Sequence, residues 1–509
     1  MGNKLIELKV KPNYSENQLY EIIKKHIQLT SFNYFISNKS LDARNKSNIH
    51  WVLQVLIDSP DIKEKTVQDF VALEIPFIKK NKKVLVVGNG PAGFFAAYVL
   101  QKAGFNVTII DRGSDVDKRA LGIDKFEKSG IYSKYANYAF GEGGAGTFSD
   151  GKLTSRSKHI TAERNFIINE YISAGAPAEI AYMAHPHIGS DNLRIIVKNL
   201  RKSFENLGGK VCFETSVEMI NKENNRTIHS INTNNGSFDA DIFILAPGHS
   251  SFDLYRMLDS IGVLFRPKGF AIGYRTEHPQ AIINKAQWGK EYLEGVKAAE
   301  YRLTSSADGQ MSVYTFCMCP GGIVVPAATT EKTNIVNGMS NYKRDGQFAN
   351  AGIVCSIQPE LLKGSTCSAM QALDELEKLE ESFYNAVNGF SAPFSTIESF
   401  INEKENSRLI KSSYPLGLKA MPLWEMLPKE VVKSIQRGLT DFNRKIQGFN
   451  QGILLGLESK TSSPIQVLRN ENALCDGFDN LYMVGEGSGY AGGIISSAAD
   501  GVKMAMKLV

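Results

Sequence analysis

The sequence predicts an α/β chain: a parallel, doubly wound sheet interrupted by an inserted α+β domain and preceded by a small α+β module. Three observations predict it. Residues 84–93 read VLVVGNGPAG, and a helical stretch and a second apolar run follow. The same texture of strand, glycine turn and helix returns only at the end of the chain, from about Pro464. Between about Phe265 and Gly456 those motifs disappear, and longer polar and helical stretches replace them. The expected divisions are a small N-terminal module over residues 1–78, the first part of the α/β unit over 83–264, an inserted substrate or cap domain over 265–460, and the C-terminal part of the α/β unit over 461–509.

With 509 residues the chain is long enough for two or three domains and a large core. Hydrophobic content of 43% and charged content of 22% suit a soluble globular protein. A net charge of +5 is small for this length and does not point to a nucleic-acid partner. The six cysteines, Cys212, Cys317, Cys319, Cys355, Cys367 and Cys475, are scattered and read as reduced thiols of a cytoplasmic protein, not a disulfide framework. The start, MGNKLIELKV, lacks the apolar core of a secretory signal. Ile6 stands where a myristoylation pattern needs Ser or Thr. No apolar run approaches the roughly 18 residues that a membrane span needs.

In the N-terminal module, Leu5 to Val10 alternates as a strand does. Ser15 to Leu29 reads as a helix, with Ser15 as N-cap and Leu19, Ile22, Ile23 and Ile27 on one face. Trp51 to Ile57 reads as a second strand, giving a βαβ-type, ferredoxin-like unit. Lys79-Lys80-Asn81-Lys82-Lys83 reads as a solvated connector.

The α/β unit opens with the strand Val84–Val87, the turn Gly88-x-Gly90-x-x-Gly93, the helix Phe94–Lys102 closed by Gly104, the strand Val107–Ile110 and then Asp111. The first Gly permits a tight turn, the second lets backbone approach a pyrophosphate, and the third lets helix and strand pack closely. Pro91 suits the first helical turn, and the helix N-terminus offers free N–H groups to phosphate. Asp111 follows Gly88 by roughly twenty residues, the spacing of the acid that takes ribose hydroxyls. Ala92 and Arg112 complete this set of expected cofactor contacts. Residues Gly141 to Gly151 hold five glycines, and Gly143, Gly144, Ala145, Gly146, Thr147 and Ser149 are expected to form a backbone cradle for an anion or the edge of a flat ring. Asp191 to Leu207 reads as a helix, Lys210 to Phe213 as the start of a strand, and Asp239 to Ala246 as a buried strand ending in Pro247-Gly248-His249. Val217, Ala246 and Gly248 are counted among the cofactor contacts. At the C-terminus, Asn480 to Val484 reads as a strand, Gly485 to Gly493 as a turn, and Ile494 to Leu508 as a helix.

That dinucleotide fits FAD better than NAD. Only one full GxGxxG is present, and nucleotide-type motifs return at the C-terminus. The turn VGEGSGYAGG resembles the glycine–acid motif with which two-part FAD folds hold the ribityl chain and the pyrophosphate. Gly485, Glu486, Gly492, Gly493 and Ile494 are the expected contacts, with Glu486 accepting from a ribityl hydroxyl. The helix N-terminus near Gly493 would point its positive end at the N1/O2 edge of the flavin.

With those residues in view, the chain resembles a family of uncharacterised FAD-dependent dehydrogenases, the NAD(P)/FAD-dependent oxidoreductases. The resemblance covers most of the chain. It runs through Ser40-Leu41-Asp42-Ala43-Arg44, GEGGAGTFSDGKL from Gly141, His185-Pro186-His187-Ile188-Gly189 and Ala246 to Ser250. It continues with KGFAIGYRTEHPQ from Lys268, FCMCPGG from Phe316 and VGEGSGYAGGI from Val484. More distantly the chain is similar to the glutathione-reductase-type FAD superfamily, in its version with one Rossmann unit and an inserted cap. The resemblance implies FAD bound non-covalently by the fingerprint, the Gly141–Ser149 loop and the C-terminal turn. Pro247 departs from the superfamily, which has Thr there. A family defined mainly by sequence implies no particular substrate.

Several cap residues are candidates for chemistry. Cys317 and Cys319, on one face of a strand, would either relay electrons to or from the flavin or serve as buried structural thiols. The strand is expected to lie against the flavin, with Gly321-Gly322 turning under the ring. Lys268, Arg275, Glu277 and His278 form a charged set on an apolar segment. Arg275 is a candidate clamp for a substrate carboxylate and His278 a candidate proton carrier, against the alternative of a salt-bridged strand edge. His249, after a strand end, is expected near the cofactor. His185 and His187 flank Pro186 and suit a loop role. No metal site is expected.

The expected function is an FAD-dependent oxidoreductase, a dehydrogenase or reductase acting on a small-molecule substrate. NAD(P)H would visit the cap cleft transiently, since no second fingerprint marks its own domain. One alternative is a flavin monooxygenase, although the acid–Pro turn of aromatic hydroxylases is missing. Another is an RNA-modification or interaction flavoprotein with a structural FAD, resting on Lys79–Lys83. Nothing in the sequence speaks to oligomeric state.

Overall fold

The computed structural model describes residues 2–29, 31–63, 72–306, 311–405 and 410–509. Its organising feature is a five-stranded parallel sheet. The order is Leu481–Met483, Ile242–Leu245, Lys83–Val87, Asn106–Ile110 and Lys210–Cys212. Strands buried on both faces read as continuous apolar runs, and Val84 to Val87 and Ile242 to Leu245 are buried throughout. Helix Pro91–Lys102 packs on one face, as does the C-terminal helix Ile494–Leu508. The edge strand Leu481–Met483 pairs with Ile242–Leu245, so the last part of the chain completes the sheet that residue 83 begins.

The predicted strand Asp239–Ala246 divides in two. Gly236–Asp239 joins Val217–Lys222 and Ile228–Thr233 in a three-stranded antiparallel sheet, and only Ile242–Leu245 enters the parallel sheet. The predicted helix near Asp191–Leu207 runs over Ser190–Asn206.

Residues 265–467 begin and end on an antiparallel ribbon, in which Phe265 pairs with Val467, Arg266 with Gln466 and Pro267 with Ile465. Between these strands lies a large, mostly antiparallel sheet. Its central strands are Val313–Pro326, Phe348–Ile357, Phe270–Pro279 and Ile453–Glu458. Helices Ala369–Val387 and Lys429–Lys445 pack against it.

The N-terminal module adds a strand to the expected βαβ-type, ferredoxin-like unit. It has three strands, Gly2–Val10, Asn33–Asp42 and His50–Ser59, with one helix, Glu16–Ile27. The third strand lies between the other two and is antiparallel to both. This is a split βαβ unit, with three of the four strands of a ferredoxin-like sheet. Residues 64–71 of the predicted module lie outside the described residues. Lys79–Lys83 is not a free basic patch. Lys80 donates to the carbonyls of Leu508 and Val509 and sits 4.3 Å from the Phe105 ring, while Lys83 pairs with Asp239 at 2.7 Å. Among the described residues no helix is long and apolar enough to cross a membrane.

Candidate active site

The phosphate loop shows why three of its positions are glycine. Gly88 has φ +105°, and a Cβ there would come 2.2 Å from Ala246 O. A Cβ on Gly93 would come 2.0 Å from Gly88 O. Gly90 faces the second glycine-rich loop, where the nearest atom to a Cβ is Gly144 Cα at 3.7 Å. Pro91 occupies the first helical turn, and no side chain caps the helix, so its N–H groups stay open to an anion. Asp111 holds this loop in place: its carboxylate accepts from Asn89 N and Gly113 N, each at 2.7 Å. Burial pushes its carboxyl up, and the amides work against that shift. Arg112 is tied to Asp253 at 3.1 Å and lies over the Phe140 ring.

The loop Gly141–Ser149 lies directly on the phosphate loop, with Gly143 N donating to Asn89 O at 2.9 Å. Ala145 to Phe148 form a short 3₁₀ turn, Thr147 Oγ1 donates to Glu142 O, and Ser149 Oγ donates to Gly146 O. A residue that sequence reasoning missed organises this loop. Arg119 is fully buried and donates to the carbonyls of Asn137, Tyr138, Glu142 and Gly144. The signal was present: Val116, Arg119, Ile123 and Phe126 form the inward stripe of helix Val116–Ser129, and a charged residue on such a stripe needs partners. Burial lowers its pKa to about 10, against the pull of Asp111 and Glu142.

The C-terminal turn meets the strand end Ala246-Pro247-Gly248-His249. Tyr255 Oη is 2.7 Å from Gly248 O and 2.9 Å from Gly487 O, which joins the two turns. His249 Nδ1 is 3.3 Å from Glu486 Oε1, while its buried Nε2 finds no partner among the described residues. Gly485 N donates to Asp500, which Arg469 holds at 2.8 Å. Lys268 donates to Gly489 O. Helix Ile494–Leu508 starts at Gly493 without a side-chain cap. A Cβ on Gly248, Gly492 or Gly493 would meet nothing within 4 Å. Open glycines and uncapped helix N-termini suit the phosphates of a dinucleotide, and the buried His249 Nε2 has no protein partner among the described residues, so the residues fit FAD. Val217 begins the separate three-stranded sheet and is half-buried.

A cleft of about 1080 Å³ separates this surface from the inserted domain. Tyr490, Ala491, Gly492 and Ser496 line one side, and Phe316, Cys317 and Met318 the other. Among the described residues Lys152, Arg156, Arg302 and Arg344 also line it, against one carboxylate, Glu300. Arg344 is bound to the buried Asp150 at 2.5 Å and reaches Glu300 at 3.4 Å, and Lys152 lies 3.5 Å from Asp150. Burial opposes the charge on Asp150, but Lys152 and Arg344 hold its carboxyl well below the usual range. Lys152 and Arg344 were not singled out from the sequence, because the partners that place them are distant in the chain.

The structure takes the structural alternative for Arg275 and His278 and corrects two further expectations. Arg275 does not reach the cleft: it is fully buried and bound to Glu458, Asn350 and Cys317 O, so it clamps no substrate. His278 is also fully buried, its Nε2 on Phe449 O at 2.7 Å, and burial lowers its pKa to about 4. It therefore carries no proton to the cleft. Gly321-Gly322 does not turn under a ring: Cβ atoms there would strike Arg344 O and Met339 O, so the glycines serve backbone packing. Cys317 and Cys319 do not share a strand face. Register shifts between Phe316 and Cys319, and Cys317 has φ +43°. Cys317 lines the cleft while Cys319 is buried behind it.

His185 pairs with Glu300, and His187 Nε2 lies 3.0 Å from Tyr342 O. Among the described residues no group of three or more His, Cys, Asp or Glu is placed to hold a metal ion.

Residues 81–233 match the family model described as FAD binding domain, and residues 269–461 match FAD-dependent protein, C-terminal domain-like. An uncharacterized protein of Clostridium beijerinckii is 38% identical over 493 residues, covering 93% of this chain and 92% of its own length. Among solved structures, L-proline dehydrogenase from P. horikoshii is 12% identical, covers 85% of this chain and 94% of that one, and has a TM-score of 0.36. CtdE in complex with FAD is 13% identical, covers 84% of each chain, and has a TM-score of 0.35. These two superpositions are too loose to carry detail over to this chain. The chain thus belongs to one family with the Clostridium protein, a family of FAD-dependent proteins by the two models it matches, and FAD is its cofactor.

Proposed function

We propose that the protein is a dehydrogenase or reductase that passes a hydride between FAD and a small acidic organic molecule bound in the cleft. The observation that carries this reading is the cleft itself. One wall is the glycine turn before helix Ile494–Leu508, the other is the cap strand at Phe316–Met318, and four basic side chains face one carboxylate between them. Cations lining a cleft concentrate and orient anions. FAD, when bound, supplies the two-electron acceptor or donor.

The chain's own residues bind and orient. The open N-termini at Gly90 and Gly493 receive phosphate and flavin edge, as does the backbone at Gly248 and Gly492. Glu486 accepts from a hydroxyl, and His249 keeps that carboxylate in place. Lys152 and Arg344 address the acid group of the substrate, and Asp150 fixes both. A cytoplasmic setting suits the six free cysteines.

The test is an anaerobic visible spectrum of the FAD-loaded protein, recorded before and after addition of NADPH or NADH and then of small carboxylic acids. Bleaching of the flavin by a nicotinamide or by an acid substrate supports the reading. A flavin that neither class reduces, and that no oxidised acid reoxidises after chemical reduction, overturns it.

A further inference from the structure

We propose that the cavity where the N-terminal module meets the rest of the chain is a second small-molecule site, built for an aromatic carboxylate. It lies behind the wall of the cleft, and its occupancy does not depend on the chemistry proposed there.

The cavity holds about 390 Å³, and small-molecule sites run from roughly 300 to 1,000 Å³. Three units of the chain close it. Lys39 and Trp51 come from the N-terminal module, Met183 from the α/β unit, and Trp288 and Val296 from the inserted domain. Backbone pairing fixes the junction: Lys39 N donates to Tyr182 O at 2.8 Å, and Ala184 N donates to Lys39 O at 2.9 Å. On the other side Asn13 Nδ2 donates to Glu294 at 3.2 Å. Gly295, with φ +77°, lets Pro12 O approach so closely that a Cβ would come 2.3 Å from it. Ser40–Arg44 and His185–Gly189, two segments of the family resemblance to which the FAD surface gives no role, both contribute to the lining.

One unmet charge names the head group. Lys297 is paired with Glu179 at 3.0 Å, His185 with Glu300, and Arg344 with Asp150. Lys39 forms no ion pair among the described residues. Its ammonium donates to Tyr14 Oη at 3.1 Å and sits 4.6 Å from the centroid of the Trp51 ring. An ammonium carries three donors, so Tyr14 leaves two of them unused. Burial lowers its pKa, against the pull of Glu179. Removing a charge from water without a partner is costly, and a ligand carboxylate on Lys39 offsets that cost.

Two indoles name the body of the ligand. Trp51 is 7% exposed and Trp288 4%, and both line the cavity. The Trp51 ring is fixed by its N–H, which donates to Pro12 O at 3.2 Å. Aromatic rings pack favourably on one another, and a fixed indole loses little freedom in receiving one. The cavity and the cleft share His185, Pro186, Glu300 and Arg344 as a common wall. An occupant therefore lies directly behind the cations of the cleft.

The test uses FAD-loaded Trp424→Phe protein. The chain has three tryptophans, so in this variant all indole emission comes from the two that line the cavity. The probe is 4-nitrobenzoate, whose ring quenches indole emission, with correction for absorbed light. Saturable quenching is expected. Affinity should fall about tenfold in Lys39→Met and be kept in Lys39→Arg, and nitrobenzene, which lacks the carboxylate, should bind the Lys39 protein about tenfold more weakly. No saturable quenching at millimolar probe, or unchanged affinity in a folded Lys39→Met variant, overturns the site. Equal affinity for nitrobenzene overturns it without any change at Lys39. Arg302 lines the cleft and not the cavity, so quenching that Arg302→Ala abolishes and Lys39→Met preserves places the probe in the cleft and also overturns the site. A flavin that no acid reduces counts against the chemistry of the cleft and leaves this titration unaffected.

Discussion

Arg275 Nη1 lies 2.6 Å from Glu458 Oε2, and neither side chain has any surface open to solvent. The pair joins strand Phe270–Pro279 to strand Ile453–Glu458, neighbours in the large sheet. Removing one partner leaves the other charge buried and uncompensated, which typically costs about 3–5 kcal/mol. Arg275→Met is therefore expected to lower unfolding free energy by about that amount in urea titrations, and Arg275→Met with Glu458→Leu is expected to recover part of it. A single variant as stable as wild type would contradict the pairing. This stability loss, rather than a raised KM for acids, is what distinguishes a sheet anchor from a substrate clamp.

Gly492 separates fold from cofactor. A Cβ there meets no protein atom within 4 Å, and the position is not among those with positive φ. Gly492→Ala should leave apoprotein stability within about 0.5 kcal/mol of wild type, yet weaken FAD by roughly tenfold, about 1.4 kcal/mol. Gly93→Ala should fail differently, because its Cβ would strike Gly88 O at 2.0 Å and damage the apoprotein itself. Thermal melts with and without FAD, together with fluorescence titration of FAD, measure both. Unchanged FAD affinity in Gly492→Ala would remove that turn from the cofactor site.

Arg119 should matter for FAD without touching it. Its loss takes a donor from four carbonyls; those of Glu142 and Gly144 keep Thr147, while those of Asn137 and Tyr138 lose theirs, at about 1–3 kcal/mol each. Arg119→Met is expected to release flavin during purification, and gel filtration with absorbance at flavin wavelengths checks this. Full flavin retention would show that the loop keeps its shape unaided.

His278 gives a pH dependence of stability. Burial holds its folded pKa near 4, against an ordinary value of 6.5. The unfolded chain therefore binds the proton first. The contribution is fully present above about pH 6.5 and is lost as pH falls toward 4, by up to about 3 kcal/mol. His278→Gln should flatten that part of the stability profile, read by urea unfolding at several pH values. An identical slope in wild type and variant would assign the effect to other groups.

How much of this was legible depends on distance along the chain. The unit from Val84 to Asp111 could be read because its glycines, apolar runs and acid act on each other within one local stretch. The return of the C-terminal strand could be read because it repeats that texture. Strand Asn33–Asp42 was missed because a bulge between Ile36 and Asn38 breaks its alternation and its later residues are only half-buried. Arg275 was left open between a clamp and a salt bridge because a charge on an apolar segment looks the same whether it faces a ligand or a carboxylate 183 residues away. The cationic wall of the cleft was invisible for the same reason: Arg344 is placed by Asp150, 194 residues earlier.

The late arrival of the edge strand Leu481–Met483 sets an order for biosynthesis. Until it leaves the ribosome, the apolar strand Ile242–Leu245 has one flank unpaired, and the contact of helix Ile494–Leu508 with helix Pro91–Lys102, where Gly501 lets the backbone of Ala92 approach, does not exist. The whole inserted domain is translated in that interval. The nascent chain thus carries an open apolar edge for nearly half of its synthesis, the condition under which strands mispair and chaperones are recruited. A chain stopped before residue 481 should keep that edge and aggregate, however well its inserted domain has folded.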